Sequence, residues 1–328
     1  MPVSTKVTVA IPTYKRVEYL KECIQSVLNQ TFQDFTIVVF DNASEQPVEQ
    51  ALQAFQDRRI QFIGNTENIG EEGNLNRILG YPFESEYLVI FHDDDAMHPN
   101  MLEAQTSFLD AHKNVVFVGS DFKPVSRGGM DAFSNIAQDK IRFFTYNDNL
   151  DFIRAEMRWL RFAFSSAMYR VKAIGSVRMS PKRFSDFADI ALLAEVSKSG
   201  PTAFLSAPLM NYRIHAGQYS ELKKEGYLQG ALELLSFFRE RFPAEFSRYD
   251  DKLFRSYSIN FLLRSYAHIG KGFVELLGFL KECRRQKIIR YADYMLIDAR
   301  GIVSLLSIMF QNRKIINLAI WTKKMFRL

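Results

Sequence analysis

Residues 91–99 read FHDDDAMHP and follow the apolar run YLVI at 87–90. Three consecutive carboxylates repel one another, and each raises its neighbour's pKa unless a positive group sits between them. A chain that needed only a turn at this point could use Gly, Asn or a single Asp. Asp93, Asp94 and Asp95 therefore ask for a cation. Closely spaced oxygen ligands suit Mg²⁺ or Mn²⁺, which takes few protein carboxylates and completes its shell with phosphate oxygens and water. The plainer alternative is an acidic surface turn. Its position directly after a buried-looking strand disfavours that reading.

Two further polar clusters fall at equivalent places. PTYKR, with Pro12, Thr13, Tyr14 and Arg16, ends or follows KVTVAIP (6–12), and Asp41-Asn42 closes FTIVVFD (35–41). Backbone groups, Tyr14 and Arg16 could hold a nucleotide. Asp41 and Asn42 could hydrogen-bond a base or ribose hydroxyl, or simply form an Asx-turn. NIGEEGNLN (68–76), with Asn68, Gly70, Asn74 and Asn76, opens a helix whose first amides favour phosphate; loop capping explains it nearly as well. Neither GxGxxG nor GxxxxGK[ST] occurs, so dinucleotide and P-loop sites lack their signatures.

The elements that must position these clusters alternate in type. KVTVAIP, FTIVVFD, RIQFIGN (59–65) and YLVIFHD (87–93) are short, Val- and Ile-rich and bounded by turn residues, as strands buried on both faces are. EYLKECIQSVLNQ carries Leu20, Ile24, Val27 and Leu28 at amphipathic helical spacing, and NLNRILG reads as a second helix. The alternation predicts a doubly wound, mostly parallel α/β sheet. In such sheets ligands bind at the carboxyl ends of the strands, where all three clusters fall. VVFVGSDF (115–122) and FLSAPLMNYRIH (204–215) predict further strands, with helical DIALLAEVSKSG before the latter. After about residue 226 the rhythm becomes helical, which divides the chain into a catalytic-type domain at 1–222 and a basic helical appendage at 223–328.

Size and composition agree with this plan. The 328 residues suffice for one large or two ordinary domains, and 47% hydrophobic with 24% charged residues is usual for a soluble chain. Cys23 and Cys283 are isolated, which argues against a disulfide framework or zinc site and fits a reducing compartment. Residues 281–328 hold 11 Lys and Arg against 3 Asp and Glu, a local net of +8, while the chain as a whole carries only +5. No signal-peptide pattern opens the sequence, and no stretch reaches the roughly 18 apolar residues of a membrane span. Nucleic-acid binding would need a defined basic motif, which is absent. The tail instead sets Leu305, Leu306, Ile308, Trp321 and similar residues beside Arg313, Lys314, Lys323, Lys324 and Arg327, a pattern suited to an anionic membrane surface.

KVTVAIPTYKR, FTIVVFDNAS, NIGEEGNLNRIL, YLVIFHDDDAMHP, SDFADIALLAEVSKSG and LMNYRIHAGQYS occur in the order seen in family 2 glycosyltransferases of the GT-A fold. The chain resembles that family over about residues 5–220. The resemblance implies a nucleoside-diphosphate sugar donor, an inverting transfer and Mg²⁺ or Mn²⁺ as cofactor. Asp41 matches the position that contacts the nucleotide base. Asp93 and Asp95 match the outer carboxylates of the DxD motif, which holds the metal against the donor diphosphate, with Asp94 between them. His215 matches a histidine that approaches the metal or diphosphate, whereas His92 and His98 read as structural. Asp189 matches the catalytic base, with Asp186 as its competitor. Many relatives carry Glu-Asp there, and this chain has Ala188-Asp189. That departure bears on how the acceptor is hydrogen-bonded. Family habit and the basic tail together suggest a glycan acceptor, lipid-linked as in O-antigen (lipopolysaccharide) or capsule assembly, and a cytoplasmic protein peripheral to the inner face of the membrane.

Two rival readings stand beside this one. A sugar-nucleotide nucleotidyltransferase needs a Gly-rich loop after the first strand, and PTYKRVEYL has no Gly. A non-catalytic sugar-nucleotide or polysaccharide-binding protein has no need of three clustered carboxylates plus Asp189.

Overall fold

Runs rich in β-branched residues make β1 (Val7–Thr13) and β2 (Phe35–Asp41) strands that pair in parallel, Val7 against Phe35 through Thr13 against Asp41. β3 (Ile60–Gly64) and β4 (Tyr87–Ile90) add in parallel on the outer edges of β2 and β1. The computed structural model describes residues 5–45, 47–126, 133, 136, 141–158, 160, 162–215, 227–269, 281 and 285.

Four more strands extend the sheet past β4, and a further one lies off its path. They are β5 (Ala96–Met97), β6 (Phe117–Ser126), β7 (Phe143–Tyr146), β8 (Met168–Arg170) and β9 (Thr202–Ile214). The order is β3-β2-β1-β4-β8-β6-β9-β5, with β7 paired to β9. β8 runs antiparallel to β4 and β6, and β5 and β7 run antiparallel to β9, whereas β6 and β9 are parallel. The expected doubly wound α/β class is therefore observed, parallel through its first four strands and mixed beyond them.

Both faces of the parallel half are covered, as near-continuous apolar strands require. On one face Val7, Val9 and Ile11 join Phe35, Ile37 and Val39 in a single core. Leu20, Ile24 and Val27 of α1 (Val17–Leu28) and Met101, Leu102 and Leu109 of α4 (Met101–Ala111) complete it. Alternate residues point the other way. There Phe40 meets Tyr81 edge-on at 5.4 Å, just after α3 (Gly70–Leu79), and α3 packs on β1 and β2. The second core gathers on the antiparallel half. Phe117 is fully buried between Phe152 of α5 (Asp151–Arg158) at 5.0 Å and Tyr169 at 5.5 Å. Phe117→Ala is expected to cost about 3–5 kcal/mol in chemical denaturation, because the strands around it are too constrained to collapse into the space.

The remaining helices of this region are α2 (Val48–Gln53), α6 (Val171–Ile174), α7 (Pro181–Phe184) and α8 (Ala188–Ser197). The chain divides into two compact units, Met1–Lys224 and Glu225–Leu328. In the second, α9 (Tyr227–Arg241) and α10 (Arg248–Ile269) share a phenylalanine cluster of Phe237, Phe238, Phe242 and Phe254. Arg239 and Arg255 both pair with Asp251. The basic, apolar tail segment of 286–328 lies outside the described residues. Among the described residues no helix is long and apolar enough to cross a membrane.

Candidate active site

The carboxyl ends of β1, β2 and β4 converge, and each loop there is tightly tied. Lys15 (φ 57°) and Ala43 (φ 59°) adopt left-handed backbone in the loops after β1 and β2, a conformation non-glycine residues hold only when surroundings enforce it. The enforcement is visible. The Lys15 amide donates to Ser44 Oγ (2.9 Å), and the Ser44 amide donates to Asp41 Oδ2 (3.1 Å). Asp41 thus does form an Asx-type turn, which also fixes its carboxylate at the end of β2.

Asn42 is a knot between loops. Its carbonyl oxygen accepts from the Asn65 side chain (2.9 Å) and the Ile69 amide (3.0 Å), and its amide donates to Asn68 Oδ1 (2.9 Å) and the Gly70 carbonyl (3.1 Å). Gly70 opens α3 with φ +77°, where a side chain would be strained. Asn74 donates to the Phe40 carbonyl (2.9 Å). Asn76 spends both amide atoms on the Met179 backbone, each at 2.8 Å. The Asn74 and Asn76 side chains, expected at the donor, thus brace β2 and the segment before α7. Asn42 and Asn68 remain at the cleft, the former with its polar atoms already engaged. Tyr14 stays exposed with the Lys15 ammonium over its ring, and Pro12 is half-buried in β1.

The acidic triplet turns directly out of β4, with the Asp95 amide donating to the His92 carbonyl (3.3 Å). All three carboxylates are buried. Asp93 accepts from Thr13 Oγ1 (2.7 Å) and lies 3.4 Å from Arg16 Nη1. Asp94 Oδ2 sits between Arg16 Nη1 (2.7 Å) and His215 Nε2 (3.0 Å). Asp95, 1% exposed, accepts from Ser165 Oγ (2.8 Å) and the Arg213 amide (3.0 Å). The Arg213 guanidinium donates to the Asp94 carbonyl (2.8 Å), pairs with Glu22 of α1, and lies 4.6 Å over the Tyr19 ring. Tyr19 in turn contacts His215 at 5.0 Å. The end of β9 is therefore clamped onto the triplet, and two guanidinium cations, Arg16 and Arg213, face it.

Those cations only partly offset the accumulated charge. Burial, reinforced by the charge of Asp94, pushes Asp93 up to about 7 against the pull of Arg16 and Thr13. Burial and the same neighbour push Asp95 well above the carboxylate range. A divalent ion would relieve both effects. Among the described residues, one group of three can bring its ligand atoms within 4.8 Å of one another: His92, Asp94 and Asp95. Oxygen donors with one imidazole fit a divalent ion such as Mn²⁺. The set differs from the expected Asp93, Asp95 and His215. Asp93 is occupied by Thr13 and Arg16, His215 acts through Asp94, and His92, read as structural, joins the cluster. His98 does take a scaffold part, its Nδ1 accepting the Asn100 amide (3.1 Å) just before α4.

Asp189 occupies the first turn of α8, half-buried, with Oδ1 accepting the Ile190 amide (2.8 Å). Burial raises its carboxyl to about 6, opposed by that backbone bond. Asp186 lies in the preceding 3₁₀ turn, Ser185–Phe187. Glu156 of α5 senses the Asp189 charge, a neighbour that no sequence motif announced. A groove of about 630 Å³ between α1 and α2 is lined by residues such as Lys21, Gln25 and Phe55 and includes none of these carboxylates.

A half-parallel α/β sheet with an acidic turn after β4 and a carboxylate at the start of α8 defines a GT-A-type glycosyltransferase domain. The model of the family described as "Glycosyl transferase family 2" matches residues 8–173, just over half the chain, and the protein belongs to that family. An uncharacterized glycosyltransferase of Methanocaldococcus jannaschii is 34% identical over 113 residues, 33% of this chain and 39% of that protein. The chain thus spans about two fifths of this relative's length. In fold it is similar to S. aureus TarS 1–349 in complex with UDP-GlcNAc (TM-score 0.56, 15% identity, 92% and 91% of the two chains). It is likewise similar to the mannosyltransferase PcManGT of Pyrobaculum calidifontis in complex with GDP-Man and Mn²⁺ (TM-score 0.51, 16% identity, 93% and 87%).

Proposed function

We propose that this protein is a metal-dependent, inverting glycosyltransferase that moves a sugar from a nucleoside-diphosphate donor to a hydroxyl of a glycan acceptor. The observation that carries the reading is the buried triplet itself: three carboxylates at one strand end, still under-compensated with Arg16 and His215 beside them. His92, Asp94 and Asp95 would hold Mg²⁺ or Mn²⁺, and Asp93 would be held by Thr13 and Arg16 behind them. Such an ion neutralises charge on the departing nucleoside diphosphate.

The chain's own residues then have separate tasks. Asp41 keeps acceptor capacity for a base or ribose beyond its bonds to Ser44, since a carboxylate offers about four lone-pair sites. The first amides of α3, from Gly70 onward, and Arg16 attract the phosphates. Asp189 accepts the proton of the acceptor hydroxyl while that oxygen attacks the anomeric carbon opposite the leaving group, which inverts its configuration. Holding both substrates in line supplies much of the acceleration. That TarS and PcManGT carry nucleotide sugars in the same fold supports the donor class.

A thermal-shift panel of UDP-, GDP-, CDP- and dTDP-sugars with and without Mn²⁺ tests the proposal. One nucleotide is expected to raise Tm only when Mn²⁺ is present; no divalent-dependent shift with any of them would contradict it. The basic tail, with a local net of +8, supports a lipid-linked acceptor of surface-polysaccharide type at an anionic membrane face. Failure of the full chain to float with anionic vesicles would remove that part.

A further inference from the structure

The acceptor side of the site contains a second carboxyl. Ala188, the residue before Asp189, brings none. Glu156 comes from α5, which packs against α8. Its direction follows from helix geometry: Phe152, one turn earlier on the same face, meets Phe117 edge-on, and Phe117 contacts the Tyr169 ring. Glu156 is thereby aimed at the space between β8 and α8. Its Oε2 is fully buried with no hydrogen-bond partner among the described residues, and so is the hydroxyl of Tyr169, a residue 1% exposed. Two orphaned polar groups from two elements thus lie within electrostatic reach of the carboxylate on a third.

The electrostatics of the cluster are one-sided. The ionisable groups that face one another here are Glu156 from α5, Tyr169 from β8 and Asp189 from α8. The nearby Arg154 is committed to Asp148 and Asp151. Burial first, and then the charge of Asp189, pushes Glu156 well above the carboxylate range. Burial and both carboxylates push Tyr169 up as well. Asp189, half-buried and bonded to a backbone amide, is raised less. When two close carboxyls share a site, the one whose charged form no donor stabilises keeps the proton, and the one held by a backbone amide ionises.

Resting on the reading of Asp189 as the base, we propose that Glu156 is its positioning residue. Together with the Tyr169 hydroxyl it forms a neutral, hydrogen-bonding wall behind Asp189, so that the pair carries one negative charge, borne by Asp189 and directed at the acceptor hydroxyl. Asp189 is then both fixed in direction and spared a second charge that would compete for the proton it removes.

The test compares E156Q and E156L with the wild type and D189N, reading kcat and KM across pH with the donor found in the thermal-shift panel. The amide of E156Q is neutral and can donate, so kcat and the acidic limb of the pH profile are expected to stay near wild type. E156L removes the polar wall, and kcat is expected to fall on the order of tenfold with the limb moved to higher pH and donor KM unchanged. A substrate-free readout accompanies it: ¹³C-carboxyl-labelled glutamate should show one residue titrating far above the usual range, lost in E156Q and shifted down in D189N. An unaltered kcat and pH profile in folded E156L, or a glutamate spectrum with no such residue, would overturn the proposal. So would a limb that moves to lower pH in E156Q, because it would mean that Glu156 is ionised beside the base. Full activity in D189N would instead overturn the assignment of the base itself, whatever Glu156 does.

Discussion

Asp189→Asn is expected to lower kcat by on the order of 10²–10⁴-fold, the range that general-base catalysis contributes, with little change in donor KM. The substitution keeps the shape of the side chain and its bond from the Ile190 amide, so folding should be nearly unaffected. What it removes is the carboxylate in the first turn of α8 to which the proposed mechanism assigns the proton transfer. Asp186→Asn in the neighbouring 3₁₀ turn is accordingly expected to retain most activity. The opposite pattern would exchange their roles. The same assignment fixes a pH dependence. A base works ionised, and burial holds the Asp189 carboxyl at about 6 rather than at its ordinary 3.8. The rate kcat/KM should therefore fall as pH drops through about 6. A limb near the ordinary aspartate value would mean that Asp189 is solvated or is not the base.

The second large effect belongs to the triplet. Asp95→Ala is expected to abolish sugar transfer and donor hydrolysis together, a loss on the order of 10²–10³-fold or more, as removal of one charge-stabilising group typically produces. Chelation of divalent ions should have the same effect on the wild type, with activity restored by Mn²⁺. The protein should nevertheless stay folded. The substitution strands the Ser165 hydroxyl and the Arg213 amide, each costing about 1–3 kcal/mol if left unpaired, but it also relieves a buried carboxyl crowded by Asp93 and Asp94. Steady-state assays alongside thermal melts separate the two consequences. Full turnover of Asp95→Ala in the presence of EDTA would contradict metal dependence outright.

The parts of the fold visible in the sequence were those whose burial leaves a period. β1, β2 and β4 are continuous apolar runs because both their faces are covered, and α1 shows its single buried stripe. β5, β7 and β8 were not visible. They are two to four residues long, too short for any period, and they exist because β9 and β4 offer edges to pair with. The three strand-end clusters were legible for the same reason that they are close in space: parallel strands end on one side of a sheet.

The details that the sequence did not reveal come from contacts distant in sequence. His92 read as structural because nothing adjacent marks it, yet the turn folds it beside Asp94 and Asp95. Arg213 reads as an ordinary strand residue until β9 brings it onto the Asp94 carbonyl. Glu156 belongs to a helix without any motif, and only the packing of α5 on α8 relates it to Asp189. Asn74 and Asn76 differ in the other direction. In an Asn- and Gly-rich stretch they resemble ligand groups, but backbone carbonyls and amides within the fold claim them first.

The proposal depends most on a divalent ion lodged in the acidic turn with the donor's phosphates against it. The direct measurement is a crystal of the full chain soaked with Mn²⁺ and the nucleotide sugar selected by thermal shift, with the ion located by its anomalous scattering. The expected result is a manganese peak bonded to Asp94 and Asp95, with diphosphate oxygens in its shell. A well-occupied donor whose diphosphate lies away from residues 92–95, with no anomalous peak there, would contradict it.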